Sequence, residues 1–391
     1  ELPPTILAIP GNHDGHDGLD SWRRLMLTGR TIGAWQTTQS EPWFATRVTD
    51  RWWLWGVDVE TREDLSEAQW AYFSAMADLM APGSSVVVIV SEPAWVRTDE
   101  SGRQATYRRL VAELVEGRAR SRVRLWLSGD SHHYSRYVTT SASDPVHFVI
   151  AGGGGAFLSA THSIPATTRL GDDDLEVVEA SIYPSREISR QLVRRAPRLL
   201  WRNGPFPLVA ALVYLIGAIA LGSARTLSAL SSPSFVGFGL ALVGAAWLYT
   251  ADRTWRGVVV GVPHATAHGA AIVGLWWILD RLGAGGPTTL ALAGAAVGPL
   301  IIGLALIAAS RLGLNDNELF SSIRIDDYRS FARLRFDPDG GLVVSAIGVD
   351  RVVRRWSGAD PAATSRLEPT VPVVHRLIET FRLDPIAAGG D

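Results

Sequence analysis

Four apolar segments in the second half of the chain limit its fold more than any other feature. They cover residues 206–222, 235–249, 257–279 and 288–309, and the stretch 206–310 carries almost no acidic residues. A helix needs roughly 17 to 25 such residues to cross the hydrocarbon layer of a bilayer. Buried helices of a soluble core are also apolar, but four such segments in series, rich in Gly and Ala, favour packing in a membrane. We therefore predict a four-helix transmembrane bundle.

Arginines flank these segments unevenly. Residues 186–202 carry a dense run of arginines, Arg253 and Arg256 follow the second segment, and the other two connectors hold one arginine each. The positive-inside rule then predicts a multi-pass inner (plasma) membrane protein whose N-terminal domain and C-terminus are cytoplasmic. Anionic lipid headgroups are the partner expected for 186–202, because this run directly precedes a membrane segment.

Composition excludes several classes of function. Lys+Arg (37) and Asp+Glu (39) nearly cancel, so the chain lacks the positive charge typical of nucleic-acid binding, and no nucleic-acid partner is expected. Cysteine is absent, which excludes disulfides, thiolate metal sites and cysteine nucleophiles. Any metal ligands must come from His, Asp, Glu and Asn.

The first half of the chain has an α/β pattern. Strands are expected over 5–10, 43–48, 52–58, 85–91, 123–128 and 146–151, with helices over 66–80 and 103–117. Polar loops follow four of these strands, at 11–14, 91–93, 129–134 and 152–155. Each loop alone could equally be a polar turn or part of a ligand site. Ligand sites in α/β sheets, however, lie beyond the carboxyl ends of strands. Together the loops offer amide, carboxylate and imidazole donors, the set that binds divalent metals without thiolates.

Two of these loops carry a family resemblance. Gly-Asn-His-Asp at 11–14 and Gly-Asp-Ser-His-His-Tyr at 129–134 resemble the third and last motif blocks of the calcineurin-like metallophosphoesterase superfamily. The resemblance covers roughly residues 1–180, and Trp-Trp-Leu-Trp-Gly at 52–56 is similar to a bacterial membrane-anchored branch of it. It implies a β-sandwich flanked by helices, two divalent metal ions, and hydrolysis of a phosphomonoester or phosphodiester substrate. The superfamily's first two blocks would lie upstream of Glu1.

The resemblance also implies roles for particular residues. His13 would protonate the leaving group, and Asp14 would orient the His13 ring. The metal ligands would be Asn12, Glu92, Asp130 and His132. Glu92 and Asp130 stand where the superfamily has histidine. The ions are therefore expected to be Mn, Mg, Fe or Zn, with Mn or Mg favoured at the second site. The alternative is a catalytically degenerate membrane sensor or scaffold that uses the fold to bind a ligand.

Other polar residues have weaker assignments. His133, Tyr134 and Arg136 are candidates for the substrate side, although surface or packing roles fit them equally well. His264 and His268 are four residues apart in the third apolar segment, on one helix face, and ionisable residues in lipid are often functional. They suggest a metal, proton or interhelical site, and a transport role would depend on them alone.

The sequence therefore divides into four regions. A phosphoesterase domain spans 1–185, a basic juxtamembrane segment 186–205, the transmembrane helices 206–310 and a C-terminal segment 311–391. Within the last, 328–336 and 342–349 alternate around Asp-Pro-Asp-Gly-Gly, which predicts a small β-hairpin, and 370–381 is expected to be a helix. Because an isolated hairpin is marginally stable, the segment should dock on the N-terminal domain. The sequence leaves the oligomeric state open.

Overall fold

The structure, a computed structural model, describes residues 3–60, 64–96, 102–140, 144–155, 157–170, 175–222, 227–250, 254–360 and 365–386. The chain divides into two compact units. One comprises Glu1–Pro184 together with Asp326–Asp391, and we call it the α/β unit. The other is Ser185–Ile325, the helical unit. The α/β unit is therefore assembled from both ends of the chain.

The N-terminal part of the α/β unit supplies most of its strands. The strands are β1 (Thr5–Ile6), β2 (Thr31–Ile32), β3 (Trp35–Thr37), β4 (Phe44–Arg47), β5 (Trp52–Gly56), β6 (Ser85–Val90), β7 (Arg122–Ser128), β8 (Tyr134–Thr139), β9 (His147–Ala151), β10 (Thr167–Leu170) and β11 (Leu175–Tyr183). The helices are α1 (Asp20–Met26), α2 (Glu67–Asp78) and α3 (Arg103–Leu110), and a π-helical turn, Val111–Arg118, follows α3.

Eight of these strands form one mixed sheet in the order β10-β11-β8-β9-β7-β6-β5-β4. Its centre, β5-β6-β7-β9, is parallel, and the flanking strands are antiparallel. The carboxyl ends of the four parallel strands therefore meet at one edge. The expected strand over 5–10 is shorter than predicted: β1 ends at Ile6 and pairs with β3 in a separate three-stranded sheet.

The C-terminal part of the α/β unit adds five strands. They are β12 (Arg329–Phe336), β13 (Leu342–Val349), β14 (Trp356–Gly358), β15 (Leu367–Pro369) and β16 (Arg376–Leu383). The β12-β13 hairpin has the predicted position and turn. The helix expected over 370–381 is wrong, because this segment contributes β16, which pairs antiparallel with β13. The edge of β13 and the apolar face beneath it favour a strand here, and this outweighs the weak local preference for a helix.

Residues of the large sheet face two layers in alternation. Val86 and Val88 pack into a core with the helices, including Phe73 of α2 and Leu110 of α3. Val87, between them, belongs to a second core on the opposite face. This second core joins Trp52, Leu125, Tyr134 and Val149 to Leu342, Val344, Ala346 and Leu383 of the C-terminal sheet. The unit therefore has helices on one face of the large sheet and the sheet β12-β13-β16 on the other.

The helical unit contains α4 (Arg186–Val193), α5 (Leu199–Arg202), α6 (Pro205–Leu221), α7 (Pro233–Tyr249), α8 (Trp255–Arg281), α9 (Pro287–Arg311) and α10 (Asp316–Ile323). Two of its helices, α8 and α9, are long and apolar enough to cross a membrane, whereas α6 and α7 are shorter apolar helices. Tyr214 of α6 lies against Gly294 of α9, where a side chain would overlap its ring. Small residues thus let these two helices approach closely, as in membrane helix pairs.

Candidate functional site

The loop after β1 and the loop after β7 meet through their polar side chains. The amide Nδ2 of Asn12 donates a hydrogen bond of 2.7 Å to Oδ1 of Asp130, 118 residues further along the chain. Asp130 adopts a left-handed backbone conformation (φ 58°), which costs energy for a residue other than glycine. Because the amide nitrogen of Asn12 points to Asp130, its carbonyl oxygen remains the group that can accept or ligate.

The turn that carries Asn12 is fixed by its own residues. The backbone N–H of Gly11 donates to Oδ2 of Asp14 at 2.8 Å, and the N–H of Asp14 donates to the carbonyl of Gly11 at 2.9 Å. The ring of His13 is exposed and lies 5.4 Å from the ring of His16. Asp14 thus stabilises the turn that presents His13. Among the described residues no hydrogen bond joins the side chains of His13 and Asp14, so Asp14's orienting role stays a prediction.

His132 lies over the glycine-rich loop that follows β9. A side chain at Gly155 would overlap the His132 ring, and the ring of Phe157 meets it edge-on at 4.7 Å. The backbone N–H of His132 donates to the hydroxyl of Ser159 at 3.0 Å. Burial lowers the pKa of His132 below 6.5, although the nearby carboxylate of Asp130 acts in the opposite direction. The shift favours the neutral imidazole, the form that binds a metal.

Glu92, at the end of β6, is held by an arginine. Nη1 of Arg103 donates to its carboxylate at 2.6 Å, and Nη2 lies 3.7 Å from the carboxylate of Glu60. The Ser91 hydroxyl also donates to Glu60. Burial raises the pKa of Glu60, and its bonds to Ser91 and Arg103 oppose that rise. Glu92 thus belongs to a carboxylate pair around one guanidinium.

Glu60 and Arg103 were not predicted from the sequence. Glu60 follows β5, so the rule that polar residues at strand ends form sites would have included it. Arg103 begins α3, on the helix side of the chain, and nothing in the local sequence indicates which carboxylate it contacts.

The three residues considered for the substrate side lie inside the α/β unit. His133 is 2% exposed, and its Nε2 lies 3.2 Å from the hydroxyl of Ser135. The Tyr134 hydroxyl donates to Glu379 of β16 at 2.8 Å, and Arg136 binds the same carboxylate at 2.6 Å. Tyr134 and Arg136 therefore connect the large sheet to the C-terminal sheet. This is the packing role that the sequence left open beside a substrate role.

His264 and His268 lie together in α8, with ring centroids 5.0 Å apart. Nδ1 of His268 lies 3.3 Å from the hydroxyl of Tyr214 on α6. His268 is buried, and this contact supports the interhelical role among those considered.

The donors fit a metal ion only in part. Asn12, Asp130 and His132 provide an amide oxygen, a carboxylate and an imidazole, the chemistry that Mn²⁺ and Fe²⁺ accept. Glu92 does not fit, because its carboxylate is paired with Arg103. Within the described ranges no group of three or more His, Asp or Glu side chains is placed to hold an ion. No family model, curated protein or solved structure matches the chain, so the residues themselves carry the functional argument.

Proposed function

We propose that the α/β unit is the catalytic unit of a metal-dependent phosphoesterase with a calcineurin-like fold. The observation that carries this proposal is the hydrogen bond between Asn12 and Asp130, which joins the two loops on which the superfamily resemblance depends. Those loops are far apart in sequence and have no reason to meet in an arbitrary α/β fold. The sheet-on-sheet layering with helices on one face also supports the proposal.

Asn12, Asp130 and His132 are the residues that would hold a metal ion. Such an ion polarises the phosphoryl oxygens and lowers the pKa of bound water. Two ions are proposed, as the superfamily resemblance implies. Carboxylate and amide oxygens favour Mn²⁺ or Mg²⁺ at the second position.

His13 is the proposed general acid. Its ring is exposed, next to Asn12, on the turn that the Gly11–Asp14 hydrogen bond stabilises. A ring nitrogen of His13 can therefore reach a bound phosphoester. As the phosphorus–oxygen bond breaks, a protonated His13 donates its proton to the departing alkoxide oxygen. A general acid must keep a constant position relative to the metal ligands. The hydrogen-bonded turn from Gly11 to Asp14 holds His13 next to Asn12 in this way.

We further propose that α6 to α9 form a four-span membrane bundle with the α/β unit on the cytoplasmic side. The two longer helices provide the support, together with the arginine run at 186–202, which suits anionic headgroups.

Hydrolysis of p-nitrophenyl phosphate and bis-p-nitrophenyl phosphate tests the proposal. The protein is assayed with Mn²⁺, Mg²⁺, Fe²⁺ and Zn²⁺ in turn. Asn12→Ala and His13→Ala should each lower kcat by about 10²- to 10⁴-fold. His16→Ala, in the same turn, is the matched control and should retain activity. Absence of turnover with all four ions would refute the proposal.

The ion pair between Glu92 and Arg103 favours a second candidate, a degenerate unit that binds a ligand without hydrolysis. The double variant Glu92→His with Asp130→His separates the two. If an inactive protein gains activity from these changes, the natural chain is a binding protein. If an active protein loses activity, the carboxylates take part in the reaction.

A further inference from the structure

A cleft rich in arginine lies in the C-terminal part of the α/β unit, between residues 350–355 and 370–376. Its volume is about 640 Å³. Four arginines are among the described residues that line it, namely Arg351, Arg354, Arg355 and Arg376, against one acidic residue, Asp350. Such a concentration of guanidinium groups favours an anionic ligand.

The arginines of this Arg-rich cleft differ in their partners. Arg354 is 3.0 Å from the carboxylate of Asp327, and Arg376 is 3.6 Å from that of Asp350. Arg351 and Arg355 are exposed, and neither makes an ion pair with any residue in the described part of the chain. Two positive charges are therefore fixed in place, and two more are uncompensated.

Large apolar side chains are exposed around the same cleft. Val371 and Val374 line it, and Val374 is 76% exposed. Trp356, the first residue of β14, is 52% exposed, and Leu367 on the paired strand β15 is exposed as well. Single exposed apolar residues are ordinary, but a group of them among arginines marks an interaction surface.

We propose that this surface docks on an anionic lipid bilayer. Phosphate groups would pair with Arg351 and Arg355, while Trp356 and Val374 would enter the boundary between headgroups and acyl chains. This combination of basic and apolar side chains is the one that holds proteins in the membrane interface. A bilayer is the occupant favoured by the chain itself, since α8 and α9 are long and apolar enough to cross one. Its residues are not those of the arginine run at 186–202.

The absence of cysteine allows a direct test by single-site labelling. Val374→Cys carries an environment-sensitive fluorophore in the full chain, reconstituted at one copy per nanodisc. Leu79→Cys, at the end of α2 and 65% exposed, carries the same label as the matched control. Discs contain phosphatidylcholine alone or mixed with phosphatidylglycerol, with a spin-labelled lipid as quencher.

The proposal requires quenching at Val374→Cys to exceed that at Leu79→Cys by about twofold or more in anionic discs, and to weaken as salt is added. Arg351→Gln with Arg355→Gln should remove the excess. Arg108→Gln with Arg122→Gln, which changes two exposed arginines elsewhere in the unit, should leave it intact.

Three outcomes would overturn the proposal. One is equal quenching at the two positions in both lipid mixtures. Another is an excess that does not change with anionic lipid or with the Arg351 and Arg355 substitutions. The third is label burial that appears only with two copies per disc, since the surface would then bind a second copy of the chain.

Discussion

Replacing Glu379 with glutamine should loosen the C-terminal sheet from the large sheet of the α/β unit. Glu379, on β16, accepts the hydroxyl of Tyr134 at 2.8 Å and two nitrogens of Arg136 at 2.6 to 3.1 Å. The other side of Arg136 contacts Nδ1 of His147 at 3.2 Å, and its guanidinium lies over the ring of Phe381. Glu379→Gln keeps the shape of the side chain and removes the charge on which this network depends.

The expected cost follows from burial. The side chains of Arg136 and Glu379 are 13% and 16% exposed, so solvent screens them little. Removing one partner of a buried ion pair costs about 3 to 5 kcal/mol, because the other charge remains buried. Glutamine still accepts one hydrogen bond, so we expect a loss of about 2 to 4 kcal/mol. At 1.4 kcal/mol per tenfold, the opening equilibrium of the C-terminal sheet should rise about 30- to 700-fold.

Hydrogen exchange of the full chain, followed by mass spectrometry, measures this opening directly. Amides of β13 and β16 should exchange faster in Glu379→Gln, and those of the core strand β6 should change less. Glu368→Gln is the matched control, because Glu368 is exposed on β15 and loses the same charge. We expect it to cost less than about 0.5 kcal/mol. Equal exchange in the two variants would refute the role given to the network.

The same network makes the attachment dependent on pH. Burial alone would raise the pKa of Glu379, but hydrogen bonds from Arg136 and Tyr134 outweigh burial, and the pKa lies below its usual 4.5. A group with a depressed folded pKa stabilises the fold above its unfolded pKa. The stabilisation is therefore complete at neutral pH and is lost as the pH falls below about 4.5. Once the intrinsic pH dependence of amide exchange is divided out, protection in β16 should fall more in that range for the natural chain than for Glu379→Gln.

Two further substitutions test close contacts in the α/β unit. A side chain at Gly153 would overlap Ser330 of β12, so Gly153→Ala should cost about 1 to 3 kcal/mol in thermal unfolding, whereas Gly154→Ala, with open space around it, should cost little. Arg103→Gln leaves the carboxylate of Glu92 without its cation, so Tm should fall by several degrees. Added Mn²⁺ should restore part of that loss if Glu92 can ligate, and no effect of Mn²⁺ would count against it.

Much of the α/β framework can be predicted from the sequence because its central strands contain short apolar runs. Ser85–Val90 is buried at nearly every position, and such a strand appears in the sequence as a continuous run of Val and Ile. Arg122–Ser128 is also largely buried and is apolar from Leu125 to Leu127. The β12-β13 hairpin is equally clear from its turn. By contrast Tyr134–Thr139 was not predicted, since Ser, Arg and Thr interrupt its apolar residues and one of its two partner strands, β11, lies far along the chain.

The candidate site was only partly predictable for a related reason. The motif loops can be found from the local sequence, but the meeting of Asn12 with Asp130 cannot, because β1 ends at Ile6 and lies outside the large sheet. Side-chain partners are not local. Arg136 looked available for a substrate but is fixed by Glu379, and Glu92 looked available for a metal but is fixed by Arg103.

The return of the chain to its first unit has a consequence for biosynthesis. The apolar face formed by Trp52, Val87 and Leu125 is covered by strands that begin only at Arg329. A ribosome must therefore complete the whole helical unit, Ser185–Ile325, before the covering layer exists. At synthesis rates of about 5 to 20 residues per second, that delay is on the order of ten seconds. During that time the nascent chain exposes a bare sheet face, which makes it a natural client for a chaperone that shields apolar surface.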